Sequence, residues 1–312
     1  MRGKRRTAVV PPASGVLPHL KTGEKIGGAA STGPNLRNYK TMSATPPDAE
    51  RPATRLERKG HALWVWIDRE ARRNAINPEV LAGIEMAVAR AAADATIRAI
   101  VLTGVGDKAF CAGADLSKGT GTFQAAPDEP TTDFGRLARK VRTCGVPLIA
   151  RVNGACVAGG MGLIGLCDLA VAADHARFGL PEVKVGVFPM QVLVYLRSIL
   201  SARRINELCL TGELIGAARA EEIGLINEVA PAGELDARID ALVAKIAAAS
   251  PMALKRGKAV IAAMEMMAFE EALSFAEAQI ALASRSTDAA EGLTAFNEKR
   301  KPSWAGPAIE GD

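Results

Sequence analysis

The sequence predicts an α/β fold, in which a core of alternating strands and helices gives way to helices alone towards the C-terminal end. Three observations carry this. Short β-prone runs recur between residues 63 and 173, apolar residues at helical spacing lie among them, and beyond residue 250 only the helical spacing continues.

The first strand is Leu63-Trp64-Val65-Trp66-Ile67, β-branched and aromatic, closed by Asp68. A helix follows over Pro78–Ala93, with apolar residues at 80, 81, 84, 88 and 92, Asn77 as N-cap and Pro78 in the first turn. Arg98–Thr103, Pro147–Val152 and Leu169–Ala173 are near-continuous apolar runs, the pattern of strands buried on both faces. Ser250-Pro251 is a cap and first-turn signal for a helix to about Met267, and Phe269–Ser284 repeats the pattern with glutamates on its wet face. Met264, Met266 and Met267 read as core or subunit-contact packing. The expected organisation is a disordered basic extension over 1–54, an α/β core over 55–250, a helical region over 251–304 and a tail over 305–312.

The chain has 312 residues, 48% of them hydrophobic, enough for one large domain or two small ones without metals or disulfide staples. The longest apolar stretch, Val185 to Leu196, is interrupted by Pro189 and Gln191 and falls short of the roughly 20 residues of a membrane helix, so no membrane span is expected. The net charge of +5 is uneven: residues 1–42 hold eight basic residues against Glu24 alone, leaving the remainder at −2. A slightly acidic folded region has no general attraction for a phosphate backbone, which argues against nucleic acid as a partner.

Residues 1–54 are rich in Pro, Gly, Ser and Thr and carry no apolar period, so they read as disordered. Their basic, acid-poor composition also fits a transit segment, but Pro11, Pro12 and Pro18 interrupt any amphipathic helix. A start at Met42 is the preferred alternative. The five cysteines form no C-x-x-C pair and several sit in apolar segments, which suits a reducing cytoplasmic compartment. His19, His61 and His175 are scattered, so neither a metal site nor a Ser-His-Asp triad is expected.

Three glycine-containing segments adjoin expected strands: Ala109–Leu116, Val152–Gly162 and Phe178–Val183. Glycines at such junctions let backbone amides approach a ligand closely, as an oxyanion site requires. Gly160, Gly162 and Gly165 also match the spacing of a dinucleotide fingerprint. The next strand-like run ends at Asp174, 9 residues past Gly165, too close to admit the helix of a Rossmann unit. An NAD-dependent dehydrogenase is thus a remote alternative.

Taken together, several motifs resemble the crotonase (enoyl-CoA hydratase/isomerase) superfamily over nearly all of the chain after residue 55. They are Arg73-Asn-Ala-Ile-Asn77, Phe110-Cys-Ala-Gly-Ala-Asp115, Asn153-Gly154 with Gly159-Gly160, Cys167-Asp168, Ala176–Gly179 with Pro181-Glu182, Thr211-Gly212, Gly224–Asn227 and Phe296–Trp304. The resemblance implies a crotonase-like spiral of repeated ββα units, with the C-terminal helical region serving oligomerisation into trimers, often paired into hexamers. It implies an acyl-CoA thioester as substrate, with no separate cofactor because coenzyme A is part of that substrate. The N–H groups of Ala114 and Gly159 would form an oxyanion hole for the thioester carbonyl. Arg73, Ala75, Ala112, Asp115 and Leu116 would border the CoA chain, Gly160 and Pro181 would adjoin the same site, and Phe296 and Lys299 would reach the nucleotide end. Arg73 and Lys299 read equally well as solvated surface charges.

Hydratases of this family resemble one another in using two glutamates. Aligned on the motifs above, this chain has Gly162 at the first position and Glu182 at the second. A single carboxylate suits double-bond isomerisation of a 3-enoyl-CoA, where one base removes a proton and returns it elsewhere. Hydration of a 2-enoyl-CoA by Glu182 with an ordered water is the alternative, as is a thioester-binding homologue with little hydratase activity. An apolar pocket walled by Leu180, Val183, Val187, Phe188 and Met190 would raise the Glu182 pKa and keep it basic. A salt bridge or a helix-start position would account for Glu182 without chemistry. Met190, Gln191 and Tyr195 are expected to line the acyl pocket.

Overall fold

The structure, a computed structural model, describes residues 52–123 and 131–306. The expectations for the basic extension before residue 52 and for the tail beyond residue 306 lie outside the described residues.

The chain runs β1 (Thr54–Lys59), β2 (Ala62–Ile67), α1 (Pro78–Ala93), β3 (Ala99–Gly104), β4 (Ala109–Cys111), α2 (Asp133–Thr143), β5 (Leu148–Val152), β6 (Ala155–Val157), α3 (Gly159–Leu166), β7 (Leu169–Ala173) and β8 (Arg177–Gly179). It continues through α4 (Met190–Leu196), α5 (Ala202–Thr211), β9 (Ile215–Gly216), α6 (Ala217–Glu222), β10 (Glu228–Ala230), α7 (Leu235–Ala247), α8 (Pro251–Met264), α9 (Phe269–Ala283) and α10 (Thr287–Asn297).

The strands form two sheets, one in the order β1-β2-β3-β5-β7-β10 and one in the order β4-β6-β8-β9. Each of β3, β5 and β7 lies in the first sheet, and the strand that follows it crosses to the second. Repeating that step three times stacks β3-β5-β7 and β4-β6-β8 in parallel, which is the expected spiral of repeated units. Two interruptions depart from the simple pattern, since β1 pairs antiparallel with β2 and β9 antiparallel with β8. The apolar pattern does not predict β1: its residues are mostly charged, and the buried Ala53 lies just ahead of it.

The apolar runs bury both faces, as their continuity implies. Along β2, β3, β5 and β7, Leu63, Val65, Ile100, Leu102, Leu148 and Ala150 face the main core, while the intervening Trp64, Val101, Ile149 and Val171 meet Leu235, Ile239 and Val243 of α7. Burying a Leu, Ile or Val side chain contributes about 1.5–3 kcal/mol, so this two-sided sandwich holds the strand ends rigidly. The expected caps are present. Asn77 Oδ1 accepts from the Val80 N–H at 2.9 Å, and Ser250 Oγ from the Ala253 N–H at 3.0 Å. Gly160, Gly162 and Gly165 all lie inside α3 rather than ahead of a helix, so they do not form a dinucleotide turn.

The C-terminal helices behave differently. α8 and α9 contain no fully buried residue, and Met266 is 79% exposed, so its packing role is not in the core of this chain. Lys258 ties α8 to the core through Asp168 at 2.6 Å, and Asp168 also accepts from the Leu148 N–H. Among the described residues no helix is long and apolar enough to cross a membrane.

Candidate active site

Because β4, β6 and β8 are parallel neighbours, the three glycine-containing segments leave the sheet at the same edge, the carboxyl ends of the strands. That edge is where α/β proteins place ligands. The three loops carry Ala112 to Asp115, Ala158 to Gly160, and Leu180 to Glu182.

The first two loops nearly touch. Gly113 has φ of +94°, and a Cβ there would lie 2.8 Å from the Ala158 Cβ and 3.3 Å from the Gly159 nitrogen; a Cβ on Gly159 would lie 3.4 Å from the Ala114 nitrogen. Ala158 itself sits at φ 52°, ψ −122°, a strained conformation for a residue with a side chain. Its N–H is bonded to the Gly179 carbonyl at 3.0 Å, which holds the turn in place and aims the peptide that follows. Among the described residues, neither the Ala114 N–H nor the Gly159 N–H has a hydrogen-bond partner. Gly159 opens α3, so the helix dipole adds to its pull on a negative charge. Two such preorganised donors can hold an oxyanion, each typically worth about 3 kcal/mol.

The turn around Arg73 is clamped to the first loop. The Ala112 N–H bonds to the Arg73 carbonyl at 3.1 Å, the Ile76 N–H to the Gly113 carbonyl at 2.7 Å, and the Asp115 N–H to the Ile76 carbonyl at 2.8 Å. Arg73, Ala75, Ala112, Asp115 and Leu116 are therefore brought together, with Arg73 and Leu116 exposed. Asp115 is an anchor. Its carboxylate pairs with Arg69 at 2.7 Å, and Arg69 also donates to the Ala75 carbonyl at 2.6 Å. Burial alone would raise the Asp115 pKa, but the hydrogen bonds from Arg69 and Ser117 outweigh it and hold the carboxyl at about 2. Nothing in the sequence points to Arg69, since it belongs to no motif and acts 46 residues from its partner. Phe296 and Lys299, at the end of α10 and just after it, are exposed, and among the described residues no side-chain hydrogen bond or ion pair joins Lys299 to the Arg73 turn.

Glu182 stands in the first turn of a short 3-10 helix, Pro181–Val185, one of the two placements that would account for it without chemistry. No ion pair engages it among the described residues, and its Oε2 is the buried carboxylate oxygen there that lacks a hydrogen-bond partner. Burial raises its pKa above the ordinary glutamate value, opposed by its own backbone N–H. The walls differ from expectation. Leu180 is buried and Phe188 packs on the core, but Val183, Val187 and Met190 are exposed. Instead Cys209 of α5 faces Glu182. Burial and then the neighbouring carboxylate push its thiol up to about 11.

Gly162 is shut in. A Cβ there would lie 2.8 Å from Phe134 Cζ and 3.2 Å from Val192 Cγ2. Phe134 packs in turn on Tyr195, ring centroids 6.0 Å apart at 54°. Met190 is 70% exposed, and the Gln191 amide donates to Thr132 Oγ1 at 2.7 Å, tying α4 to the N-cap of α2. Phe134 likewise carries no sequence signal, because it reaches Gly162 from a helix 28 positions earlier. Gly160 approaches the first loop, its missing Cβ only 2.5 Å from the Cys111 carbonyl, and Pro181 packs on Gly212. Among the described residues no group of three or more His, Cys, Asp or Glu side chains could hold a metal.

Known proteins share this fold. The profile of the enoyl-CoA hydratase/isomerase family matches residues 57–307. The enoyl-CoA hydratase EchA19 of Mycobacterium tuberculosis is 35% identical over 261 residues, 81% of this chain and 96% of the relative. The 2,3-dehydroadipyl-CoA hydratase of Escherichia coli is 32% identical over 255 residues, 80% of this chain and 98% of the relative. Among solved structures, an enoyl-CoA hydratase of Mycobacterium smegmatis superposes with a TM-score of 0.74 at 32% identity, covering 82% of this chain and all of that one. The dehydrogenase alternative falls with these matches. With its spiral of paired strands and its three convergent loops, the chain belongs to the enoyl-CoA hydratase/isomerase family of the crotonase superfamily and is an acyl-CoA enzyme of that kind.

Proposed function

We propose that the protein moves a proton on an enoyl-CoA thioester, with the thioester oxygen held between the N–H groups of Ala114 and Gly159 and Glu182 as the single acid–base group. The observation that carries this is the buried, unpartnered oxygen of Glu182 on the loop beside two free N–H donors. A carboxylate partly stripped of water is a stronger base than one in solution. On a 3-enoyl-CoA it takes a proton from the carbon beside the carbonyl, and the electron pair spreads into a dienolate whose oxygen the two N–H groups stabilise. The same carboxyl returns the proton to the far carbon of the allylic system, so the double bond shifts and nothing is consumed.

Hydration of a 2-enoyl-CoA, with Glu182 acting through a bound water, is the second reading, favoured by relatives whose names specify hydratases. Coenzyme A enters as part of the substrate, with Arg73 as an exposed cation at the rim of the loops, and no further cofactor is required. The exposed apolar residues of α8 and α9, among them Ile261, Phe269 and Ile280, support assembly into a homotrimer or hexamer. The five free cysteines fit a reducing, cytoplasmic setting.

The test is E182Q assayed with 2-enoyl- and 3-enoyl-CoA substrates. Loss of about 100-fold or more in turnover at unchanged thioester affinity supports the reading. A slow rate that E182Q leaves unchanged favours a thioester-binding homologue without catalysis.

A further inference from the structure

Gly162 lies three residues after Gly159 on α3, and helical side chains lean towards the N-terminus of their helix. A side chain at 162 would therefore reach towards the free Gly159 N–H, the place where the reacting carbons must sit if the thioester oxygen is bound there. The start of that path is filled by Phe134, whose Cζ is 2.8 Å from the position of a Cβ on Gly162, with Val192 Cγ2 at 3.2 Å from the same position.

The intrusion is built into the fold. Thr132 Oγ1 caps α2 by accepting from the Gly135 N–H at 3.1 Å, and the Gln191 amide binds the same oxygen from α4, so the first turn of α2 is tied to the helix that carries Val192 and Tyr195. Phe134 then packs against Tyr195 and the main core. The ring is thus held over α3 from two sides.

We propose that Phe134 determines which reaction this site performs: its ring occupies the space in which position 162 would present a second polar group and leaves an apolar wall there, so that a water cannot be activated from that side. This rests on the reading of Glu182 as the acid–base group. Adding water to a double bond requires one group to take a proton from the water as its oxygen bonds to carbon, and a proton to be delivered to the neighbouring carbon. A phenyl edge can do neither. Moving a double bond requires only one carboxylate that takes a proton and gives it back.

The experiment compares wild type with F134A, G162E and F134A/G162E, measuring hydration of 2-hexenoyl-CoA and isomerisation of 3-hexenoyl-CoA in parallel, with thermal midpoints and thioester affinity for each protein. G162E alone should gain no hydration, because even its Cβ meets the ring. F134A/G162E should hydrate about 100-fold faster than wild type, the lower end of what a positioned acid–base group contributes. F134A alone should raise the ratio of hydration to isomerisation by about tenfold, the smaller effect of reshaping a pocket wall. A merely structural role for Phe134 would lower both rates together and leave the ratio unchanged, which overturns the proposal. So does a folded F134A/G162E that hydrates no faster than wild type, or a G162E that gains as much as the double variant. If F134A/G162E does not fold, the ratio in F134A decides. A wild type that does not isomerise and is indifferent to E182Q sinks the reading of Glu182 instead, and the comparison of F134A/G162E with G162E still decides the role of Phe134.

Discussion

Replacing Gly113 by alanine places a methyl group between the two loops that carry the oxyanion donors. The new Cβ would lie 2.8 Å from the Ala158 Cβ and 3.3 Å from the Gly159 nitrogen. Non-bonded carbons settle at about 3.5–4.0 Å, so the loops must part by about 1 Å. The φ of +94° adds backbone strain of about 1–2 kcal/mol for any residue with a side chain. Overpacking contributes about 1–3 kcal/mol more, giving a stability loss of about 2–5 kcal/mol. In the site, a misplacement of about 1 Å costs about 100-fold in rate, which corresponds to about 2.7 kcal/mol of transition-state stabilisation. The assay is kcat/KM with an enoyl-CoA substrate beside a urea unfolding curve. G224A is the control, because Gly224 has φ of +80° but no atom within 4 Å of its missing Cβ. That variant bears the strain without the clash and should keep its activity. A G113A protein as active and as stable as G224A refutes the reasoning.

Glu182 sets a pH dependence. Its folded pKa is raised above 4.5, so the folded protein holds that proton more tightly than the unfolded chain. The resulting stability is complete below the unfolded pKa and is lost as pH rises through the folded one. E182Q should therefore gain stability relative to wild type across that window, and the acid limb of wild-type kcat/KM should fall above the ordinary glutamate range; a limb inside that range contradicts a desolvated base. Asp115 behaves oppositely, because its pKa is lowered from 3.8 to about 2. Its contribution, about 1–2 kcal/mol after solvent screening, is present above the unfolded pKa and should vanish as pH falls towards 2, seen as a closing gap between wild type and D115N in unfolding curves. Phe269, 75% exposed on α9, is expected at a subunit contact. F269D should lower the sedimenting mass while leaving the circular dichroism of the chain unchanged, and an unchanged mass argues against that contact.

Much of the first sheet is legible in the amino-acid sequence, since Leu63–Ile67 and Leu169–Ala173 are apolar on both faces and short. The same rule hides β1, whose Thr-Arg-Leu-Glu-Arg-Lys run is half-buried and polar, and the second sheet, whose strands β4, β6 and β8 have three residues each and show no period. At the site, the loops of Ala114, Gly159 and Glu182 are recognisable because glycines and a Pro-Glu pair mark them locally. The family resemblance puts Asp115 beside the CoA chain, and its pairing with Arg69 is not legible because the guanidinium lies 46 residues away along the chain. Val183, Val187 and Met190 read as pocket walls because apolar character does not say which side chains the fold leaves exposed.

Local chemistry written into the chain was sufficient for the apolar strands of the first sheet, the capped helices and the glycine-bearing loops, and the family resemblance added the loss of a carboxylate at position 162. Tertiary structure alone decided that the loops converge, that Glu182 keeps an unpartnered oxygen, and that Phe134 fills the space beside Gly162. Periodicity and capping depend on neighbours a few residues apart. Steric exclusion and desolvation depend on atoms that only folding brings together.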